Sequence, residues 1–411
     1  MTGPLWVSLP DGWQRGLIKN AATVTLGKML QSKDSGSDVT APYMRAANVQ
    51  PDGLLALDDV NEMWFSAAEL EKLSIRTGDV VVVEGGQGGF GRAAYVGEDL
   101  SGWGFQNSIN RLRPIGDADG RFIAFYLIAL RASGFIRAYS NVVSMPHLTA
   151  EKLARIPLPL PPVEYQRAVC DYLDHETAHI DTLIEEQRCL IEILRERRHS
   201  LIDSVFGDHV PNVRLQNACI DVVDCPHTTP EVSDFGAYEA VRTSSVRNGK
   251  FRPGNGLPVD ADTWKARNAG GAPSIGDVLF TREAPAGEAC MVPSDQLCLG
   301  QRMVLLRIDP TVCVGNFLMW QLYSNRVQDH FLLSVNGSTV ANVRLPILRT
   351  TPIWLPGLSV QRRITAYLNG QTDKIDTLIA ETERFIELSK ERRSALITAA
   401  VTGQIDVRET V

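Results

Sequence analysis

The chain has 411 residues, 44% of them hydrophobic and 22% charged, with a net charge of −7 and seven cysteines. That composition is ordinary for a soluble globular protein of two or three domains, and an odd cysteine count without Cys-x-x-Cys fits reduced thiols better than a disulfide framework. No basic segment followed by an apolar run opens the chain. The longest apolar stretch, Phe122 to Leu130, is far below the roughly 20 residues that span a bilayer, so a cytoplasmic protein with no membrane contact is expected.

Residues 1–156 mix short strands, Gly/Asn/Asp turns and occasional helices, an α+β pattern. Gly78-Asp79 reads as a turn feeding a buried strand, Val80–Val83. Gly86-Gln-Gly88-Gly-Phe-Gly91 then matches G-x-G-x-x-G. A dinucleotide site needs a helix at that point, whose N-terminus takes the pyrophosphate. Arg92-Ala-Ala-Tyr-Val96 reads instead as another strand, and a glycine-rich hairpin is expected. Phe122–Leu130 predicts a helix, and Asn141 opens a loop leading to Pro157, Pro159, Pro161 and Pro162, which favour extended backbone.

Residues 157–208 form a helical spacer. Leu173, Thr177, Ile180, Ile184, Gln187, Ile191, Leu194, Arg198, Leu201 and Val205 alternate in steps of four and three, an a/d seam broadened by Leu183, Leu190 and Ile202. From Leu173 to Val205 the helix would run about 50 Å. Most of the net acidity lies here, with five Lys or Arg against eleven Asp or Glu. His175-Glu176-Thr-Ala-His179 matches H-E-x-x-H, the pattern of two zinc ligands and a general base on one helical face. Three facts oppose a metallohydrolase. The metzincin extension fails at Thr182 and Glu185, the helix continues without a fold-back, and the pattern is absent from the second copy of this helix described below. Solvent-facing histidines and no metal are expected.

Residues 209–350 share landmarks with the first domain. Arg242–Val246 answers Arg45–Val49, Gly276-Asp277 with its strand answers Gly78-Asp79, the apolar Phe317–Leu322 answers Phe122–Leu130, and Asn336 answers Asn141. Residues 351–411 then repeat the spacer after Pro352 and Pro356. The seam becomes Leu368, Thr372, Ile375, Ile379, Thr382, Ile386, Ser389, Arg393, Leu396 and Ala400, and Gly403 closes it as Gly207 closes the first. Gln361, Asp376 and Arg393 each lie 195 residues after Gln166, Asp181 and Arg198, while Gly370, Gln371 and Lys374 replace the His-Glu-His residues.

A unit of this length is no solenoid repeat of about 20–50 residues. It is a variable domain followed by a fixed helix, twice over. Two related apolar stripes in one chain most simply bury each other as an intramolecular coiled coil. The polar seam residues Gln187, Thr382, Arg198 and Arg393 either set its register or face a third partner. No G-x-x-x-x-G-K-[ST], [DNS]-P-P-[YFW] or G-x-S-x-G occurs, so the usual signatures of ATPase, amino-methyltransferase and serine-hydrolase chemistry are missing.

The doubled signature Gln166-Arg, Tyr172-Leu, Ile180-Asp-Thr-Leu-Ile184 and Glu196-Arg-Arg198, with the ending Ala400-Val-Thr-Gly-Gln-Ile-Asp406, resembles the specificity subunits of type I restriction–modification systems over the whole chain. The resemblance implies a non-catalytic bacterial or archaeal protein with two α/β target-recognition domains (1–156 and 209–350). The helices of 157–208 and 351–411 would pair as an antiparallel coiled coil. It implies double-stranded DNA, two copies of a methyltransferase subunit and restriction (helicase–nuclease) subunits as partners. The chain itself would carry no cofactor, with S-adenosylmethionine and ATP on the partners. Arg suits guanine, and Asn or Gln suits adenine. Tyr43, Arg45, Asn48, Arg92, Gln106 and Asn107 are therefore candidate DNA contacts in the first domain. Arg242, Arg247, Arg282, Gln301 and Arg302 are those in the second. Leu173, Ile180, Ile184, Ile191, Leu194, Leu201, Leu368, Ile375, Ile379, Ile386 and Leu396 are the expected coiled-coil and partner interface. The rival readings are the metallohydrolase and a coiled-coil adaptor that does not bind DNA.

Overall fold

A computed structural model describes residues 3–86, 89–140, 147–333 and 342–409. The chain forms two units, residues 1–186 with 384–411, and residues 187–383. Each holds one sheet-rich domain and opposite halves of two long helices, Val163–Phe206 and Leu358–Val401, of 44 residues each.

In the first unit an antiparallel sheet runs in the order Ala22–Leu26, Ile109–Pro114, Val80–Val83, Ala93–Tyr95. Val80–Val83 is an unbroken valine run because both faces of its sheet are covered. Val80 and Val82 meet Phe122, Tyr126 and the long helices, while Val81 and Val83 meet Met44, Phe65 and Phe105. A second sheet places Val39–Met44 between Asn61–Phe65, antiparallel, and Gly104–Phe105, parallel. The predicted Phe122–Leu130 helix spans Gly120–Ala132, started by Asp119, whose side chain accepts from the Arg121 amide.

The second unit repeats this topology. Its larger sheet runs Cys219–Asp224, Met303–Ile308, Val278–Thr281, Ala289–Met291, and its smaller one Leu257–Val259, Tyr238–Val241, Leu297–Leu299, again with one parallel pair. The shared Gly-Asp pair is turn chemistry. Gly78 and Gly276 take φ of +95° and +104°, open to glycine, and the Asp79 and Asp277 carboxylates accept from the amides of Arg76 and Ser274.

The prolines do form extended segments: Pro157–Leu160 pairs with Gln14–Leu17, and Pro352–Ile353 with Val213–Arg214. Both helices then begin about one heptad and a half before Leu173 and Leu368. The early turns escape the a/d pattern because they are buried in the domain, as Val169 and Cys170 are.

Inside each unit the helix halves pack antiparallel. Arg393 faces Asp181 in the first, and Arg198 and Arg195 face Asp376 and Glu383 in the second. The buried seam holds Leu173, Thr177, Ile180, Ile184, Ile191, Leu194 and Arg198, with Leu368, Thr372, Ile375, Thr382 and Ile386. Its threonines are satisfied locally, Thr177, Thr372 and Thr382 donating to the carbonyls of Leu173, Leu368 and Leu378. Towards each C-terminus the stripe moves over by one residue. Ile202 and Phe206 replace Leu201 and Val205 as the most buried, and Ile397 and Val401 replace Leu396. An α-helix drifts against a seven-residue repeat, and these turns join a domain core as well as the first turns of the other helix.

All seven cysteines are free thiols. Burial pushes Cys219, Cys290 and Cys313 up to about 12 and Cys298 up to about 11, so these stay protonated and unreactive. Among the described residues no helix is long and apolar enough to cross a membrane.

Candidate nucleic-acid interface

In each unit several segments meet at one edge of the two sheets, four in the first and three in the second. In the first, the Gln106 amide donates to the Met44 carbonyl (2.9 Å), the Asn107 amide to Lys28 (2.8 Å) and the Glu84 amide to Ser108 (2.8 Å). In the second, Gly300 donates to Val241 and Arg282 to Arg302, both at 2.9 Å. Backbone hydrogen bonds thus gather Tyr43, Arg45, Gln106 and Asn107 at one edge, and Arg242, Arg282, Gln301 and Arg302 at its counterpart.

Their side chains are committed to different degrees. Tyr43 and Asn48 are buried, and Asn48 donates to the carbonyls of Ala56 and Asp59 while accepting from the Arg45 amide. Arg45 pairs with Asp59, and Arg92 donates to the Val49 carbonyl. Arg282 donates from one nitrogen to both oxygens of Asp224, at 2.7 and 2.8 Å. These contacts give Asn48, Arg45, Arg92 and Arg282 roles within the fold. Arg45 and Arg242 begin equivalent single turns, closed by the side chains of Asn48 and Ser245.

Four positions are more open. Gln106 and Asn107 are half-buried, with no side-chain hydrogen bond among the described residues, and Arg242 is exposed. Arg302 is exposed beside Glu283, at φ +66°. Gln301 is half-buried and donates to the His227 carbonyl, which ties it to the 225–236 loop. Arg247 lies elsewhere. It shares with Arg195, Arg198, Lys250 and Arg252 a cleft of about 740 Å³ between the Val246–Phe251 hairpin and the helices of its own unit, 3.7 Å from Glu288.

Two further residues stand at these edges. Lys28 pairs with Glu69 beside Gln106, and His147 lies 3.0 Å from Glu84. Neither carries a sequence signal, because only strand pairing brings it there. Asn141, Asn336 and the Gln87-Gly88 pair of the glycine-rich run lie outside the described residues. The run leads into Ala93–Tyr95, a strand antiparallel to Val80–Val83, so no helix N-terminus stands where a pyrophosphate would need one.

His175 and His179 are both exposed on the first long helix. Among the described residues no three His, Cys, Asp or Glu side chains gather as a metal site.

The repeated glutamine is a joint. The Gln166 side chain accepts from the Asp119 amide and donates to the Pro161 carbonyl. Gln361 accepts from Val314 and donates to Val312 and Pro356. Each long helix is thereby locked to the domain that precedes it in sequence.

The family described as "Type I restriction modification DNA specificity domain" matches residues 10–192. One similar solved structure comes from work on complex assembly and conformational transition of the type I R-M system. It is 18% identical with a TM-score of 0.74, over 97% of this chain and 100% of that one. The HsdS subunit from Thermoanaerobacter tengcongensis is 19% identical with a TM-score of 0.53, over 98% of this chain and 99% of that one. At these identities the likeness is one of fold. Comparison with curated proteins returns no significant match. Residues 10–192 thus match the type I restriction–modification DNA specificity domain by sequence, and nearly the whole chain shares its fold with these two solved structures.

Proposed function

We propose that the protein reads an asymmetric bipartite DNA target, one half-site per recognition domain, and scaffolds two methyltransferase subunits together with restriction subunits. The observation that carries this reading is the duplicated edge with unequal side chains. Gln106 and Gln301 correspond, but Asn107 is matched by Arg302. An amide suits adenine and a guanidinium suits guanine, so the same frame would address different bases. The chemistry falls to the partners, which bring S-adenosylmethionine and ATP, and a partner acting on adenine must flip it from the duplex.

Exposed apolar residues on the long helices support two equivalent partner faces. Leu190, Ile193 and Leu378 are 40–54% exposed in the second unit. Their counterparts Phe385, Leu388 and the half-buried Leu183 occupy the same positions in the first. The step of three keeps Leu190 with Ile193, and Phe385 with Leu388, on one face of their helix. A double substitution Phe385→Glu with Leu388→Glu should therefore remove one methyltransferase copy and leave the other. Two buried side chains of this size contribute about 3–6 kcal/mol, a loss of two orders of magnitude or more in affinity. Native mass spectrometry of the complex measures this; two copies retained at unchanged affinity would count against the docking faces.

The reading as a whole is tested by binding assays on random and selected duplexes, with and without the methyltransferase, followed by mapping of methylated adenines. A split motif with an unspecified gap is expected. A continuous motif, or no sequence preference in the assembled complex, would refute it.

A further inference from the structure

Two polar residues repeated in both helices, an aspartate and an arginine, meet each other across the helix pair. In the first unit Arg393 Nε lies 3.0 Å from Asp181 Oδ1, and Arg393 Nη2 donates to the Asp52 carbonyl at 3.2 Å. In the second, Arg198 Nε lies 3.2 Å from Asp376 Oδ1, and Arg198 Nη2 donates to the Asn248 carbonyl. Asp52 and Asn248 both sit at turn tips of the recognition domains, next to Gly53 and Gly249, whose φ values are positive. The arginines are largely buried, with 13% and 10% of their side chains exposed. In the second unit Arg198 also lies 5.2 Å over the Trp320 ring, and Lys250 Nζ is 2.7 Å from Asp376.

We propose that Arg393 and Arg198 are positioning residues, each setting the angle of a recognition domain on the helices by gripping carboxylate and turn carbonyl at once. The inference rests on the DNA-reading function proposed above. The glutamine joint and the apolar core shared with the helix ends hold each domain at one end of its helix pair. The arginine adds a polar tether farther along the helices, between a turn tip of the domain and the opposite helix. The planar guanidinium meets two acceptors in fixed directions, which lysine cannot do: Arg393 hydrogen-bonds both carboxylate and carbonyl, while Arg198 forms an ion pair with Asp376 and a hydrogen bond to the carbonyl.

The assignment crosses the sequence order. Arg198 belongs to the helix that follows the first domain, yet it grips the second. Arg393 follows the second domain and grips the first. A residue that only set coiled-coil register would affect both domains alike.

The test uses the assembled methyltransferase complex and duplexes with single-base changes in one or the other half-site. Half-sites are assigned to domains by photocrosslinking from positions 106 and 301. Arg198→Met should lower discrimination about tenfold in the half-site of the second domain and leave the first unchanged. Arg393→Met should do the reverse; tenfold corresponds to 1.4 kcal/mol. Arg198→Lys, which keeps the charge but not the fork, should relax the same half-site with little loss of melting temperature. The reversed pair Arg393→Asp with Asp181→Arg should restore helix pairing without restoring selectivity in the first half-site, since aspartate cannot donate to the Asp52 carbonyl. Equal loss in both half-sites, loss at the half-site of the preceding domain, or full selectivity in all variants overturns the proposal. A wild-type complex without half-site discrimination would instead overturn the function on which it rests.

Discussion

One heptad inserted into each long helix, between Glu186 and Gln187 and between Glu383 and Arg384, should widen the gap between half-sites by about three base pairs and leave both half-sites intact. Seven residues add about 10 Å of helix, against 3.4 Å per base pair along each DNA strand. A full heptad returns the a/d seam to phase, so Ile180, Ile184, Ile191 and Leu194 keep facing the other helix. The position matters. The end of the first helix looks like the natural place to lengthen the arm, but Ile202 and Phe206 are buried in the second domain there. Asp203 also accepts from the Asn325 amide. Residues inserted near Ser204–Gly207 would break that core before they moved anything. Glu186, Glu383 and Arg384 at the insertion points are exposed, so matched insertions there open no domain core. Genome-wide mapping of methylated adenines in cells carrying the variant and its methyltransferase reads the result. An unchanged gap with altered half-site bases would show that the helices are not the ruler.

Phe317→Ala should cost about 3–5 kcal/mol, the usual loss for an aromatic ring removed from a packed core. Phe317 is fully buried on the helix Gly315–Leu322 and lies edge-on to Phe206 of the first long helix, with ring centroids 5.4 Å apart. Trp354, on the segment leading into the second long helix, packs at 6.0 Å. The ring therefore joins the recognition domain to both helices of its unit, and the cavity would open where all three meet. Hydrogen exchange gives the unit-resolved readout. Protection of Val278–Thr281 and Met303–Ile308 should fall by about two to four orders of magnitude, while that of Val80–Val83 holds. Equal loss in both units, or a change below tenfold, would contradict this placement of the core.

Local and periodic features were legible without coordinates. The helix seam could be read because burial on one face imposes a spacing of three and four that survives substitution. The valine strand, the Gly-Asp turns and the Phe122–Leu130 helix were legible because their determinants lie within a few residues of one another. The family resemblance rested on the same repeated helix. What the tertiary structure decided was which polar groups are spent inside the fold. Asp59 claims Arg45 and Asp224 claims Arg282, and these partners lie 14 and 58 residues away. The open seam question about Arg198 and Arg393 was answered the same way. Their aspartates lie on the other helix, Asp181 being 212 residues from Arg393, and their carbonyl acceptors lie in a domain that the sequence order does not suggest. A periodic pattern shows which face of a helix is buried. Only the antiparallel pairing of two distant helices determines what each buried arginine meets.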